Sequence, residues 1–319
     1  MKDDSHDWVE RLRSGDTRAL ARAISEVENR TPGSAALLKA LFPYSGNARI
    51  LGLTGAPGAG KSTLVNRLAR QYRRDGKTLG IIAVDPTSPF TGGAILGDRI
   101  RMQDHHADPG IYIRSMATRG SLGGLASTTA DVATVLDASG RDLVMIETVG
   151  VGQDEVDIVT IADVTVVILV PGMGDDVQTI KAGIMEIADI FVINKSDRDG
   201  AERVEREIRA MQTLALRHDS WVPPIAKTVA SEGTGITDVV EAIEKYREYL
   251  KQGNLGRNRR IENWRKRLTE MLRDRLFQRV VKDYLGNGEA ERIATEIAEH
   301  KRDPYSLVEE IVGELGKHA

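Results

Sequence analysis

The 319-residue chain contains no cysteine. That absence removes disulfides, thiolate metal sites and cysteine nucleophiles together, and it fits a reducing compartment. A long apolar run is also lacking. No stretch approaches the roughly 20 residues of a membrane helix, and the charged N-terminus MKDDSHDWVERLRSGD has no signal-peptide core. The formal net charge is only −3, so nothing global draws the chain to nucleic acid or to an anionic membrane. Neither an internal repeat nor a low-complexity tract is present. These absences predict a cytoplasmic protein with no membrane and no nucleic-acid partner. The composition, 41% hydrophobic, supports one large core with smaller appendages.

Residues 1–45 carry apolar positions at helical spacing (Leu20, Ile24, Val27, then Leu37, Leu38, Leu41), broken by the turn and capping signals SGD and TPGS. They predict a helical extension. Over 46–250 the pattern changes to short β-rich runs, each followed by a turn and a helical stretch: ARILGLTG, TLGIIAVD, DLVMIETVG, DVTVVILVPG, ADIFVINKSD and WVPPIAKTVA. Continuous apolar strands alternating with helices predict an α/β fold, a mostly parallel central sheet flanked by helices, with its ligand beyond the strands' C-terminal ends. The polar segment KQGNLGRN at 251–258 opens a final helical region, 251–319. There Ile261, Trp264, Leu268, Leu272 and Leu276 share one face, and Arg260, Arg265, Lys266 and Arg267 lie elsewhere. A solvated basic face is the common outcome of such a pattern, and an arm packed on a second subunit is the sharper one.

GAPGAGKST at 55–63 follows the strand ILGLT and precedes the helical run STLVNRLARQY, the context a phosphate-binding loop requires. Gly55, Gly58 and Gly60 let the backbone turn with its N–H groups inward, and Ala56, Pro57, Ala59 and Thr63 complete the loop. Lys61 would reach the β- and γ-phosphates, and the Ser62 hydroxyl would ligate Mg²⁺. Further along, VINKSD ends another strand. Asp197 there would accept from guanine N1–H and the 2-amino group, while Asn194 and Lys195 tie the loops together. Adenine leaves that carboxylate unmatched, so GTP and GDP are the expected ligands. After the next strand, in VASEG, Ala230 or Ser231 would offer a backbone N–H to guanine O6, with Glu232 and Gly233 beside them.

Three more segments end strands at the same edge. DPTSPFTGGAILGDRIRM (85–102) holds Asp85 and Asp98, one or both placed to hold Mg²⁺ directly or through water; Asp98 has the alternative of capping a helix. In IETVGVGQDE, Glu147 would reach a metal-bound water or act as a base, and Gly150 would present its N–H to the γ-phosphate. Val151 stands where a water-orienting glutamine is found in Ras-type proteins, and Gln153 is two residues further on, so slow unassisted hydrolysis is expected. VPGMGDDVQTIKAG (170–183), with Asp175, Asp176, Gln178 and Lys181, reads either as a helix start capped by Asp175 or as a third mobile loop by the phosphates.

Together GAPGAGKST, DPTSPFTGGAILGDRIRM, ETVGVGQDE, PGMGDDVQTIKAG and NKSD closely resemble the MeaB/ArgK-type GTPases, the methylmalonyl-CoA mutase-associated G-protein chaperones. The resemblance implies a homodimeric GTPase, with 251–319 as its dimerisation arm, that docks on an adenosylcobalamin-dependent acyl-CoA mutase and gates cofactor loading. It also implies roles for Lys61, Asp85, Asp98 and Glu147 in phosphate, metal and switch functions, and for Lys181 in mutase-stimulated hydrolysis. Two other readings compete. One is a GTP-dependent phosphotransferase linked to amino-acid transport, although no arginine-binding acceptor site is evident. The other is a nickel-delivery GTPase, which six scattered histidines and no cysteine make a poor fit.

Overall fold

The computed structural model of the chain describes residues 2–85, 108–117, 124–148, 160–172, 186–214, 220–286 and 288–315. Among them one sheet is built from β1 (Arg49–Thr54), β2 (Leu79–Asp85), β3 (Ile111–Ala117), β4 (Leu143–Glu147), β5 (Val164–Leu169), β6 (Ile190–Asn194) and β7 (Ile225–Thr228). Its spatial order is β3-β2-β4-β1-β5-β6-β7, and every neighbouring pair is parallel. The expected parallel α/β architecture is therefore present. The central strands are rich in Val, Ile and Leu because helices cover both faces; β4 and β6 are buried at every residue. Strand β3 has no counterpart among the six expected strands. It lies at the sheet edge, and its sequence IYIRSMA interrupts the apolar run with Arg114 and Ser115. In WVPPIAKTVA only four residues become strand, since Pro223 and Pro224 have no N–H to give a ladder.

The helices are α1 (Lys2–Arg13), α2 (Thr17–Glu28), α3 (Ser34–Leu41), α4 (Lys61–Arg74), α5 (Gly124–Ala138), α6 (Ala201–Leu214), α7 (Ile236–Lys251), α8 (Leu255–Tyr284), α9 (Glu289–Ala298) and α10 (Pro304–Leu315). On one face of the sheet α4 and α7 bury Leu64, Leu68, Val239 and Ile243 against Leu53, Ile81 and Met145. The other face takes Ile82, Val84, Val144 and Ile146, the alternate strand positions, and covers them with α5 and with Leu20, Ile24 and Leu41 of the N-terminal helices. A third cluster packs α6 on Val167, Phe191 and Ile193. The SGD signal has a direct structural outcome: Asp16 caps α2 by accepting from Arg18 N at 2.8 Å and Ala19 N at 3.0 Å. Entry into β1 is held by Asp137 of α5, whose carboxylate accepts from the backbone N–H groups of Gly46, Asn47 and Ala48.

Because all strands point the same way, their C-terminal ends share one edge. Strand β1 lies between β4 and β5, where the strand order changes direction, the position at which parallel sheets of this kind bind their ligands. Residues to Trp264 form one compact unit and residues from Arg265 a second. Between α7 and α8 the helical path is interrupted over 252–254, inside the 251–258 segment. Among the described residues no helix is long and apolar enough to cross a membrane.

Candidate functional site

The phosphate loop leaves β1 at Thr54 and enters α4 at Lys61. Two of its glycines are enforced by close approach and by backbone angle. Gly55 has φ +144°, and a Cβ on it would lie 2.2 Å from the Ile168 carbonyl; Gly60 has φ +89°, and a Cβ there would lie 2.4 Å from Asn194 Nδ2. Gly60 also supplies no side-chain cap to α4, so the first N–H groups of that helix are left for a phosphate. Lys61 is buried, its Nζ donating to the carbonyls of Gly55 at 2.8 Å and Ala56 at 3.1 Å. The ammonium thus lies across the loop that would surround a β/γ-phosphate. Pro57 and Gly58 form its exposed tip.

Glu147 at the end of β4 and Ser62 in the first turn of α4 meet at this edge. Ser62 Oγ donates to Glu147 Oε1 at 2.6 Å, and both residues are buried. Beside them Thr148 Oγ1 and Thr54 Oγ1 hydrogen-bond at 2.9 Å and close the gap between β4 and β1. Asp85 ends β2, two residues beyond Ala83, which pairs with Glu147. A hydroxyl and a carboxyl oxygen in contact form the donor chemistry that Mg²⁺ selects.

The NKSD turn is joined to the phosphate loop by two bonds. Asn194 Nδ2 donates to Ala59 O and Lys195 Nζ to Gly58 O, each at 2.8 Å. Lys195 has φ +55°, a left-handed conformation costing about 1–3 kcal/mol in a non-glycine residue. Asn194 Oδ1 accepts from Thr228 Oγ1 and from Ala230 N, both at 3.1 Å, so one buried amide connects all three loops. Asp197 is exposed on this turn. Arg67 of α4, which sequence reasoning did not single out, donates to the carbonyls of Ala230, at 2.8 Å, and Ser231. No local signal marks Arg67, because its partners lie more than 160 residues away in the chain. Glu232 and Gly233 follow in a tight turn, both N–H groups donating to Val229 O. Asp98, Gly150, Val151, Gln153, Asp175, Asp176, Gln178 and Lys181 lie outside the described residues.

A parallel sheet with a phosphate loop at its switch point and an Asn-Lys-Ser-Asp turn alongside defines the class of P-loop GTPases. A family model described as Methylmalonyl Co-A mutase-associated GTPase MeaB matches residues 20–284, and the chain belongs to that family. A Pyrococcus abyssi relative, provisionally described as a GTPase, is 48% identical, covering 96% of this chain and 95% of its own length. GTPase ArgK of Escherichia coli is 39% identical over 84% of this chain and 85% of its own. Among solved structures, one described as a LAO/AO transport system kinase superposes with a TM-score of 0.73 at 26% identity, covering 99% of both chains. The fold and the enzyme class expected from the sequence, a GTPase, agree with these findings.

Proposed function

We propose that this protein is a GTP-hydrolysing chaperone of an adenosylcobalamin-dependent acyl-CoA mutase, methylmalonyl-CoA mutase or a close relative, which gates cofactor loading and protects or reactivates its client. The observation that carries the client assignment is the family match over residues 20–284, since that family's description names the mutase. In this reading the phosphate loop and Lys61 hold the β- and γ-phosphates of GTP. Ser62 and Glu147, with Asp85 and Asp98, would hold Mg²⁺ directly or through water, and the ion would supply charge neutralisation to the phosphates. Asp197 reads guanine, and Ala230 or Ser231 meets O6. Water attacks the γ-phosphorus as the bond to the β–γ bridging oxygen breaks, yielding GDP and inorganic phosphate. Glu147 orients or deprotonates that water, and Gly150 and the loop of Asp175, Asp176, Gln178 and Lys181 respond to the γ-phosphate and the client. With Val151 after the glycine, turnover is slow until the mutase binds. A cytoplasmic location is part of this proposal.

The test is GTP turnover with and without purified methylmalonyl-CoA mutase. Stimulation is expected in the wild type. Glu147→Gln should retain GTP binding and lose about 10²–10⁴-fold of the stimulated rate, the usual contribution of a positioned acid or base. Normal stimulation of that variant would remove Glu147 from its role, and an unchanged wild-type rate with the mutase bound would count against the client assignment. The kinase description of the solved relative supports a second reading, transfer of the γ-phosphate to a protein. Labelled phosphate recovered on protein rather than in solution would favour it.

The homodimer is likewise proposed. Leu268, Leu272 and Leu276 of α8 are each more than half exposed, with Met271 and Phe277 exposed beside them, although such residues are normally covered. A second copy of the chain is the proposed cover. Sedimentation equilibrium should show a dimer for the wild type and a monomer for Leu268→Asp combined with Leu272→Asp; a monomeric wild type would sink the idea.

A further inference from the structure

The end of the sheet opposite the phosphate loop carries a second concavity. Where β1, β4 and β5 begin, a cavity of about 270 Å³ opens between the strand starts, the last turn of α4 and the corner between α7 and α8. That volume is just below the roughly 300–1,000 Å³ of drug-sized ligand sites and suits a smaller molecule. Leu143, Val164 and Ile243 give it an apolar wall.

Its polar side is built around Tyr72. The Tyr72 side chain is 5% exposed and lines the cavity, and its hydroxyl is buried without a hydrogen-bond partner among the described residues. A buried donor left unsatisfied loses its hydration without compensation, and such groups are uncommon in folded proteins. Burial above all, and then Glu244, pushes the Tyr72 hydroxyl up to about 12, so it stays protonated and is a donor at neutral pH. Arg49 and Arg247 line the same cavity and act on that hydroxyl electrostatically. Arg49 Nη1 pairs with Glu244 Oε1 at 2.8 Å and Arg247 pairs with the other oxygen of the same carboxylate. Arg49 and Arg247 thus share the Glu244 carboxylate beside an unsatisfied O–H, on which Asp75 acts as well. The opposing carboxylate in the wall, Asp163, is occupied: it accepts from Ile50 N at 2.9 Å and faces Arg259 and Arg260.

We propose that this cavity binds a small organic oxyanion, a carboxylate or phosphate monoester on a short apolar chain. Its head accepts from the Tyr72 hydroxyl and pairs with Arg247 and Arg49, and its chain lies on Leu143, Val164 and Ile243. The site shares no residue with the nucleotide site and does not depend on the function proposed above.

Isothermal titration of the full-length protein, saturated with GDP and Mg²⁺, tests this with four probes: hexanoate, hexyl phosphate, hexan-1-ol and inorganic phosphate. The first two should bind saturably at one site per chain, at least about tenfold more tightly than the alcohol, which lacks the charge, and inorganic phosphate, which lacks the chain. Whichever of the two anions binds more tightly identifies the head group. Tyr72→Phe should weaken that binding about ten- to a hundredfold, the value of a hydrogen bond to a charged acceptor, without lowering the melting temperature. Arg247→Gln should weaken it to a similar extent. Absence of saturable binding would mean a water-filled cavity and would overturn the proposal. So would equal binding of hexan-1-ol, or unchanged affinity in both variants. A signal present only without GDP would belong to the phosphate loop and would also overturn it. If GDP itself fails to bind, the two variants still decide the matter.

Discussion

Asp197→Asn is expected to lower GTP affinity by about a hundred- to ten-thousandfold while creating affinity for xanthosine triphosphate. The proposed contact is a pair of charge-assisted hydrogen bonds, from guanine N1–H and the 2-amino group to one carboxylate, each worth about 1.5–3 kcal/mol. An amide removes the charge and turns one acceptor into a donor, which faces the 2-amino group of guanine and is repelled. Xanthine carries an oxygen at that position and accepts from the new NH₂. The surrounding frame should survive the exchange, because the turn is held by Asn194 to Ala59 and Lys195 to Gly58, not by the exposed Asp197 side chain. Calorimetric titration with GTP, ATP and xanthosine triphosphate checks it. Retained GTP affinity in the variant, or equal affinity of the wild type for ATP and GTP, would contradict the assignment of Asp197.

Asp189→Ala is expected to cost about 3–5 kcal/mol of stability, the usual penalty for removing one partner of a buried ion pair. Asp189 immediately precedes β6 and is 1% exposed. Its carboxylate accepts from Arg259 Nη1 at 2.9 Å and Nη2 at 2.7 Å, and from Thr165 N at 2.8 Å. Arg259 also bonds to the Tyr246 hydroxyl and sits 5.6 Å from the centre of that ring. Burial alone would push the Arg259 guanidinium down; the charge of Asp189 and its hydrogen bonds more than offset this and hold it above its usual value. Without Asp189 that cation has lost its bidentate acceptor, and Thr165 N has lost its partner. Urea unfolding followed by circular dichroism should show the full loss for Asp189→Ala. The pair Asp189→Asn with Arg259→Met should recover most of it, since no buried charge is then left uncompensated. A loss below about 1 kcal/mol in the single variant would show the pair to be solvated.

The sequence is most legible where one short segment contains the whole physical requirement. The phosphate loop is such a segment: three glycines, a lysine and a serine between a strand and a helix leave little freedom, and they appear as expected in Gly55 to Ser62. The central strands are legible for a related reason, since burial on both faces removes polar residues from them. Legibility fails at the edge of the sheet, where β3 is covered less and admits Arg114 and Ser115. It fails again for Arg67, whose importance rests on carbonyls of a distant loop.

The chain by itself determined the α/β class, the phosphate loop and the Asn-Lys-Ser-Asp turn, because local backbone chemistry dictates them. Only the tertiary structure decided what these elements touch. Ser62 meets Glu147 across 85 residues of chain, Asn194 meets Ala59 across 135, and Arg259 meets Asp189 across 70. Those meetings follow from strand order, which places β4 and β5 on either side of β1, and strand order is set by how the helices cover both faces of the sheet.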